Sequence, residues 1–402
     1  MSKDPDIVEK TYDRYPGLRP FSDKESHLFF GRNAEISDIL NSITSEKILV
    51  LFSKSGIGKS SLLSAGLFPK LKEQGYFPLR IRFQVSQTEL AKTPEMGNTP
   101  ANIVRYSIEQ ACGLKLTEEK SQILYNANQP MLWEQIKVSR FPEHKIPVLV
   151  FDQFEEFFNY PAGLQNQFLE QLCELVHSQP PNRILRWIGE IKISERSDQQ
   201  MNWIRQPSVK VIFAIRDDKL PELESVRKYI PLIFKNRFRL LPLSLKNAEE
   251  AIIEPGKLDK VKWGFDTPKF SFDPVTLEAI VKKLAGHTND GTTQPAEKAD
   301  TETIDASQLQ KVCGYIEEKI KKTAIDREEI VVDHEIINPE TEIQSIIDDY
   351  YKEQLETLGI NAETARKIIE SHYVIGGARA FVSLALMQQL SAGYPGLITQ
   401  ML

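Results

Sequence analysis

The stretch from Ile48 to Leu63, ILVLFSKSGIGKSSLL, constrains this chain more than any other. Five apolar residues, Ile48 to Phe52, predict a buried strand that runs into a small glycine-containing loop, and Lys59, Ser60 and Ser61 then open a helix. Such a loop can hold a polyphosphate: Gly56 and Gly58 let the backbone turn its N–H groups inward, and the helix N-terminus adds positive potential. The cradle is expected from Ser55, Gly56, Ile57, Gly58, Lys59, Ser60 and Ser61. Lys59 is expected to reach the β- and γ-phosphates and the Ser60 hydroxyl to join the Mg²⁺ shell. One position departs from the GxxxxGK[ST] pattern, because Ser53 stands where its first glycine belongs.

At 402 residues the chain has room for two or three domains of roughly 150 residues each. A net charge of −6 speaks against a general nucleic-acid binder, which carries a basic footprint. Cys112, Cys173 and Cys313 lie far apart without CxxC or Cys/His spacing, so neither a disulfide frame nor a zinc site is expected. The polar N-terminus has no apolar signal core, and no apolar run approaches the ~20 residues that span a bilayer, so a cytoplasmic protein without membrane contact is expected.

Residues 1–14 read as a loose charged arm. In the segment that follows, Tyr15 to Leu40, Ser22 and Glu25 resemble a capping box and Phe29-Phe30-Gly31-Arg32 precedes a helical pattern. Its place before the phosphate-binding strand suits it to line the base of a nucleotide; a packed helix with a turn is the other reading. The P-loop helix is expected to break near Pro69, with a second strand at Leu79–Phe83. In IPVLVFDQFEEFF, Val148 to Phe151 form a third strand and Asp152 stands at its carboxyl end, where an acid holds the water shell of Mg²⁺. Glu155 or Glu156 could orient and deprotonate an attacking water. Residues 180–207 show no readable pattern. Val211 to Ile215 form a fourth strand ending in Arg216, which either contacts a γ-phosphate or pairs with Asp217, Asp218 or Asp152. A last strand is expected within 237–243.

Three of these runs, those at Ile48–Phe52, Val148–Phe151 and Val211–Ile215, share one logic. Each delivers a polar element at its carboxyl end: the P-loop, Asp152 and Arg216. In an open parallel α/β sheet, ligands sit in the crevice beyond those ends. From Ser244 onward the pattern is helical, with a polar, turn-rich loop at 286–305 and a helical run at Phe381–Leu390.

The YPGLRPF…LFFGR segment, SGIGKSSLLSAGLFPKL, VLVFDQFEEFF, the strand ending in Arg216, PLS…AIIEP and LQKVCGYIEE together resemble the STAND class of P-loop ATPases, in particular the bacterial novel STAND NTPases related to NACHT and AP-ATPase proteins. The resemblance implies an ASCE-type α/β domain, a parallel sheet flanked by helices, followed by a helical domain and a winged-helix region. The corresponding boundaries are an arm at 1–27, a P-loop domain at 28–245, a helical domain at 246–325 and a winged-helix-like region at 326–402. It also implies ATP or ADP with Mg²⁺, with Phe30, Gly31 and Arg32 near the adenine or ribose. The expected activity is that of a slowly hydrolysing switch that oligomerises on activation in bacterial signalling or antiphage defence. Sensor and effector modules would lie in a longer chain or in separate partners. An ATP-dependent nucleic-acid loader and a non-hydrolysing ADP-bound scaffold are the alternatives. The run Phe381–Leu390 has no basic residue with which to read a major groove, so nucleic acid is not the expected partner.

Overall fold

The computed structural model describes residues 13–83, 99–112, 131–287, 302–323 and 329–356, with short stretches at 362–368, 370–371, 374–375 and 378–379. The chain divides into two compact units: Leu18–Pro255 with Asp305–Ser307, and Met1–Gly17 with Gly256–Ile304 and Gln308–Leu402.

The first unit is built on a parallel sheet of five strands, β1 Ile48–Ser53, β2 Tyr76–Ile81, β3 Ile146–Asp152, β4 Lys210–Arg216 and β5 Arg237–Arg239. Their order is β2-β3-β4-β1-β5, so one strand separates β1 from β3. Because side chains alternate along a strand, each strand feeds two cores. Leu49, Leu51, Val148, Val150, Ile212 and Ala214 face one way, toward α1 (Asn33–Ser45) and the P-loop helix. Leu149, Phe151, Val211, Phe213 and Ile215 face the other, toward α3 (Pro100–Cys112), α4 (Leu132–Val138), α5 (Ala162–Val176) and α6 (Asn182–Glu190). Aromatic side chains dominate that second face: the Phe154 ring lies 4.8 Å from Phe213 and 4.9 Å from Phe157, centroid to centroid.

The P-loop helix, α2, does not break at Pro69. It starts as Lys59–Ser61, widens into a π-helical turn over Leu62–Leu67, and continues as Phe68–Glu73. A proline ring clashes with the carbonyl four residues back and offers no N–H, and a widened turn immediately upstream relieves both problems. Strand β2 begins three residues before the expected Leu79 and carries Pro78, which an edge strand tolerates. The unreadable stretch 180–207 folds as α6 and the helix Asp198–Trp203, where Trp203 packs against Trp133 and Trp187.

The second unit contains α8 (Pro274–His287), most of α9 (Ala306–Thr323) and α10 (Pro339–Glu356). A parallel strand pair, β6 (Lys269–Phe272) with β7 (Glu329–Val332), accompanies them. The helical content expected beyond Ser244 is present, starting with α7 (Leu245–Gly256) in the chain. The arm expected to be loose up to residue 14 is anchored here at its end. Arg14 is fully buried: its guanidinium donates to the Thr267 carbonyl (3.0 Å) and the Leu258 carbonyl (3.1 Å) and lies 4.1 Å over the Phe265 ring. Glu317 accepts from the backbone N–H groups of Arg14 (2.9 Å) and Tyr15 (3.2 Å) and from the Thr267 hydroxyl (3.0 Å). Of residues 326–402, where a winged-helix-like region was expected, the described part holds β7, α10, the short helix Ala362–Ile368 and an antiparallel pair, Val374–Ile375 with Ala378–Arg379. The run Phe381–Leu390 lies outside the described residues.

Candidate nucleotide site

The loop between β1 and α2 places two glycines in the left-handed region, Gly56 at φ +82° and Gly58 at φ +98°, a backbone that side chains with a Cβ rarely adopt. Ser55 and Gly56 are exposed, while Ile57 inserts into the core and fixes the loop from beneath. Ser307 Oγ and Ala306 Cβ, at the start of α9, stand 3.5 and 3.9 Å from where Cβ atoms on Gly56 and Gly58 would lie. Sequence reasoning missed these two residues, since nothing local marks them.

Ser53 ends β1 with an ordinary negative φ, so this position does not require glycine. Its hydroxyl donates to the Lys54 carbonyl (2.8 Å) and accepts from Lys59 Nζ (3.0 Å). Lys59 Nζ also donates to the carbonyls of Ser53 (3.0 Å) and Lys54 (3.2 Å). Burial lowers the Lys59 pKa, opposed by the charges of Glu155 and Asp152. The serine therefore adds an oxygen to the set that positions the lysine.

Ser60 and Asp152 meet as expected: the Ser60 hydroxyl lies 3.1 Å from each carboxylate oxygen. Asp152 is 1% exposed, and two arginines of the β2 segment, Arg80 and Arg82, both bind its Oδ2. Burial alone would raise the Asp152 pKa, but the two guanidiniums hold it below the usual carboxylate value. Glu155 and Glu156 part company. Glu155 Oε2 accepts the backbone N–H of Arg216 (3.3 Å), and burial pushes its pKa up against the pull of Lys59 and Arg216. Glu156 accepts from the Asn159 side chain (2.9 Å). Between Asp152 and these acids, Gln153 is left-handed at φ 58°, ψ 50°.

The Arg216 guanidinium grips Asp218, with bonds of 2.9 and 2.8 Å, while Asp217 is held by Arg239 (3.0 Å). Of the pairings open in the sequence, the structure therefore has Asp218. Arg32 is 4% exposed and joins the P-loop by donating to the Ile57 carbonyl (3.4 Å), with Glu35 as its ion-pair partner (2.6 Å). Gly31 sits at φ +79° directly against the Asn247 carbonyl, and Phe30 beside it is half-buried. Ser61 is engaged elsewhere, its hydroxyl accepting from the Phe21 N–H (3.2 Å) and so tying the N-terminal segment to α2.

The residues present fit a magnesium nucleotide. Ser60 and Asp152 are hard oxygen donors side by side, and Mg²⁺ takes one or two protein oxygens, completing its shell with phosphate and water. Among the described residues no group of three or more His, Cys, Asp or Glu side chains gathers.

A parallel sheet in this order, with a phosphate-binding loop after β1 and the acid two strands away on β3, defines a P-loop NTPase of the ASCE type. The family described as Novel STAND NTPase 1 matches residues 15–269. The chain belongs to this family.

No curated protein matches the chain. Among solved structures, the Aeropyrum pernix ORC1 protein in complex with DNA is similar at 14% identity and a TM-score of 0.43, over 90% of this chain and 77% of that one. The ORC2 protein of the same organism, in its ADPNP–ADP complexes, gives 12%, 0.43, 92% and 81% in the same order. The Walker-type ATPase paby2304 of Pyrococcus abyssi gives 13%, 0.39, 96% and 91%. These likenesses are too distant to carry a function. No helix among the described residues is long and apolar enough to cross a membrane.

Proposed function

We propose that the chain is the ATP-binding core of a signal-transduction switch that hydrolyses ATP slowly with Mg²⁺. The observation that carries this reading is the convergence of Lys59, the Ser60–Asp152 pair and Glu155 at the carboxyl ends of β1 and β3. In the proposed mechanism the amides of 55–60 and the Lys59 ammonium hold the β- and γ-phosphates. Bound by Ser60 and Asp152, the metal would supply charge neutralisation at the phosphate oxygens. Glu155 orients a water in line with the γ-phosphorus and takes its proton as the β–γ bridging bond breaks. Its raised proton affinity suits it to that task. Arg32, tied to the loop at Ile57, and Phe30 and Gly31 flank the nucleoside side.

In keeping with its family, nucleotide state would control oligomerisation of the chain and its communication with sensor and effector modules, in bacterial signalling or defence. Calorimetry with ATP and Mg²⁺ tests the core of this reading. Lys59→Ala should weaken binding by about 10- to 100-fold, the worth of a charge-assisted phosphate contact. Full affinity in that variant refutes it.

A further inference from the structure

Arg80 and Arg82 are two apart on the β2 segment and therefore share a face. That face carries them to Asp152, the acid of the proposed metal site. Arg80 donates to Asp152 Oδ2 from Nε (2.9 Å) and Nη2 (2.5 Å), and Arg82 does so from Nε (3.1 Å) and Nη2 (2.7 Å). Arg80 also donates to Ser64 Oγ on α2 (2.9 Å), which fixes it between sheet and helix. Oδ1 faces Ser60 alone among the hydrogen-bond partners. One buried carboxylate thus meets two full positive charges, leaving an excess of positive charge beside the phosphate loop. Neither arginine belongs to the P-loop or to the acidic motif.

We infer that Arg80 and Arg82 are a built-in counter-cation for Asp152, which sets how strongly nucleotide affinity depends on a divalent metal. The inference deepens the nucleotide site proposed above and rests on it. Without the pair, Asp152 is a bare anion: it repels a metal-free polyphosphate and attracts a divalent cation. With the pair, its charge is already compensated, so the metal adds little to binding and must compete for Oδ2.

ADP titrations in Mg²⁺ and in EDTA, on the full chain, test this. Wild type should show affinities within about threefold of each other in the two buffers. Arg80→Gln and Arg82→Gln should widen the ratio beyond about tenfold, because EDTA affinity falls while Mg²⁺ affinity holds or rises. Arg82 is the more exposed, at 39%, so its variant remains usable should Arg80→Gln fail to fold. Arg80→Lys and Arg82→Lys keep the charge and should restore the narrow ratio. Mn²⁺ alone, followed by electron paramagnetic resonance, should bind the Gln variants more tightly than wild type. Equal losses in both buffers overturn the inference in favour of direct phosphate contact, and an unchanged ratio overturns it as well. Absence of ADP binding to wild type is a different failure. It removes the nucleotide reading, while the Mn²⁺ measurement still decides whether the arginines compete for Asp152.

Discussion

Gly31 offers a quantitative test of how the segment before α1 is held against the first unit. At φ +79° an alanine there bears the strain of the left-handed region, roughly 1 kcal/mol. Its Cβ would also fall 2.2 Å from the Asn247 backbone oxygen and 3.3 Å from Ala251 Cβ, and a backbone carbonyl cannot swing aside as a side chain can. Relieving that overlap costs about 1–3 kcal/mol, as overpacking generally does. Gly31→Ala should therefore destabilise the unit by roughly 2–4 kcal/mol. Gly75 is the internal control, with φ +83° but nothing within 4 Å of the added Cβ, in the same compact unit. Gly75→Ala should cost only the strain, about 1 kcal/mol, reduced by the entropy that alanine removes from the unfolded chain. Urea unfolding followed by intrinsic fluorescence gives both numbers, and equal m-values license the comparison. Two variants within about 0.5 kcal/mol of each other refute the packing argument.

The two glutamates of the acidic motif should separate: Glu155→Gln should keep ATP binding and stop phosphate release, while Glu156→Gln turns over near the wild-type rate in a single-turnover assay. Glu317→Ala should destabilise its unit by about 3–5 kcal/mol in denaturant titration, because it leaves Arg14 buried without its carboxylate. The Glu25 carboxyl is pushed up by burial yet held down to about 2 by Arg19 and Ser22, from an ordinary 4.5. A depressed acid contributes stability above its unfolded pKa and loses it as pH falls toward the folded one. The melting temperature of wild type relative to Glu25→Gln should accordingly be highest above pH 4.5 and shrink toward pH 2; a pH-independent difference contradicts that ion pair.

Strands β1, β3 and β4 were legible because each is an unbroken apolar run, the mark of a parallel strand covered on both faces. The P-loop and Asp152 could be placed for the same reason, since motif and strand end coincide. β2 was harder: Pro78, Arg80 and Arg82 interrupt its apolar pattern, and an edge strand needs no continuous run. Its core was still expected at Leu79–Phe83, but the contact of its arginines with Asp152 was missed. The available signal was two arginines at strand spacing after the P-loop helix, but their register against β3 decides where they point. Arg14 was read as part of a solvated arm, because one charged residue in a polar segment carries no mark of a partner some 300 positions away. The different partners of Glu155 and Glu156 follow from the turn after Asp152, which nothing in the sequence marks.

That turn has a consequence for how such motifs are recognised. Gln153 reverses the handedness of the backbone for one residue, immediately after the strand delivers Asp152. The neighbour of the acid is thereby spent on changing direction, and Glu155, three places on, accepts the backbone N–H of Arg216. Motif spacing in this chain is thus a record of local chirality. A pattern that demands an acid directly after Asp152 passes over Glu155, whereas one that admits two residues between them, the first of them left-handed, finds it. The same reasoning ranks replacements at position 153: glycine and asparagine preserve the spacing, and valine or isoleucine, which resist positive φ, would rewrite it.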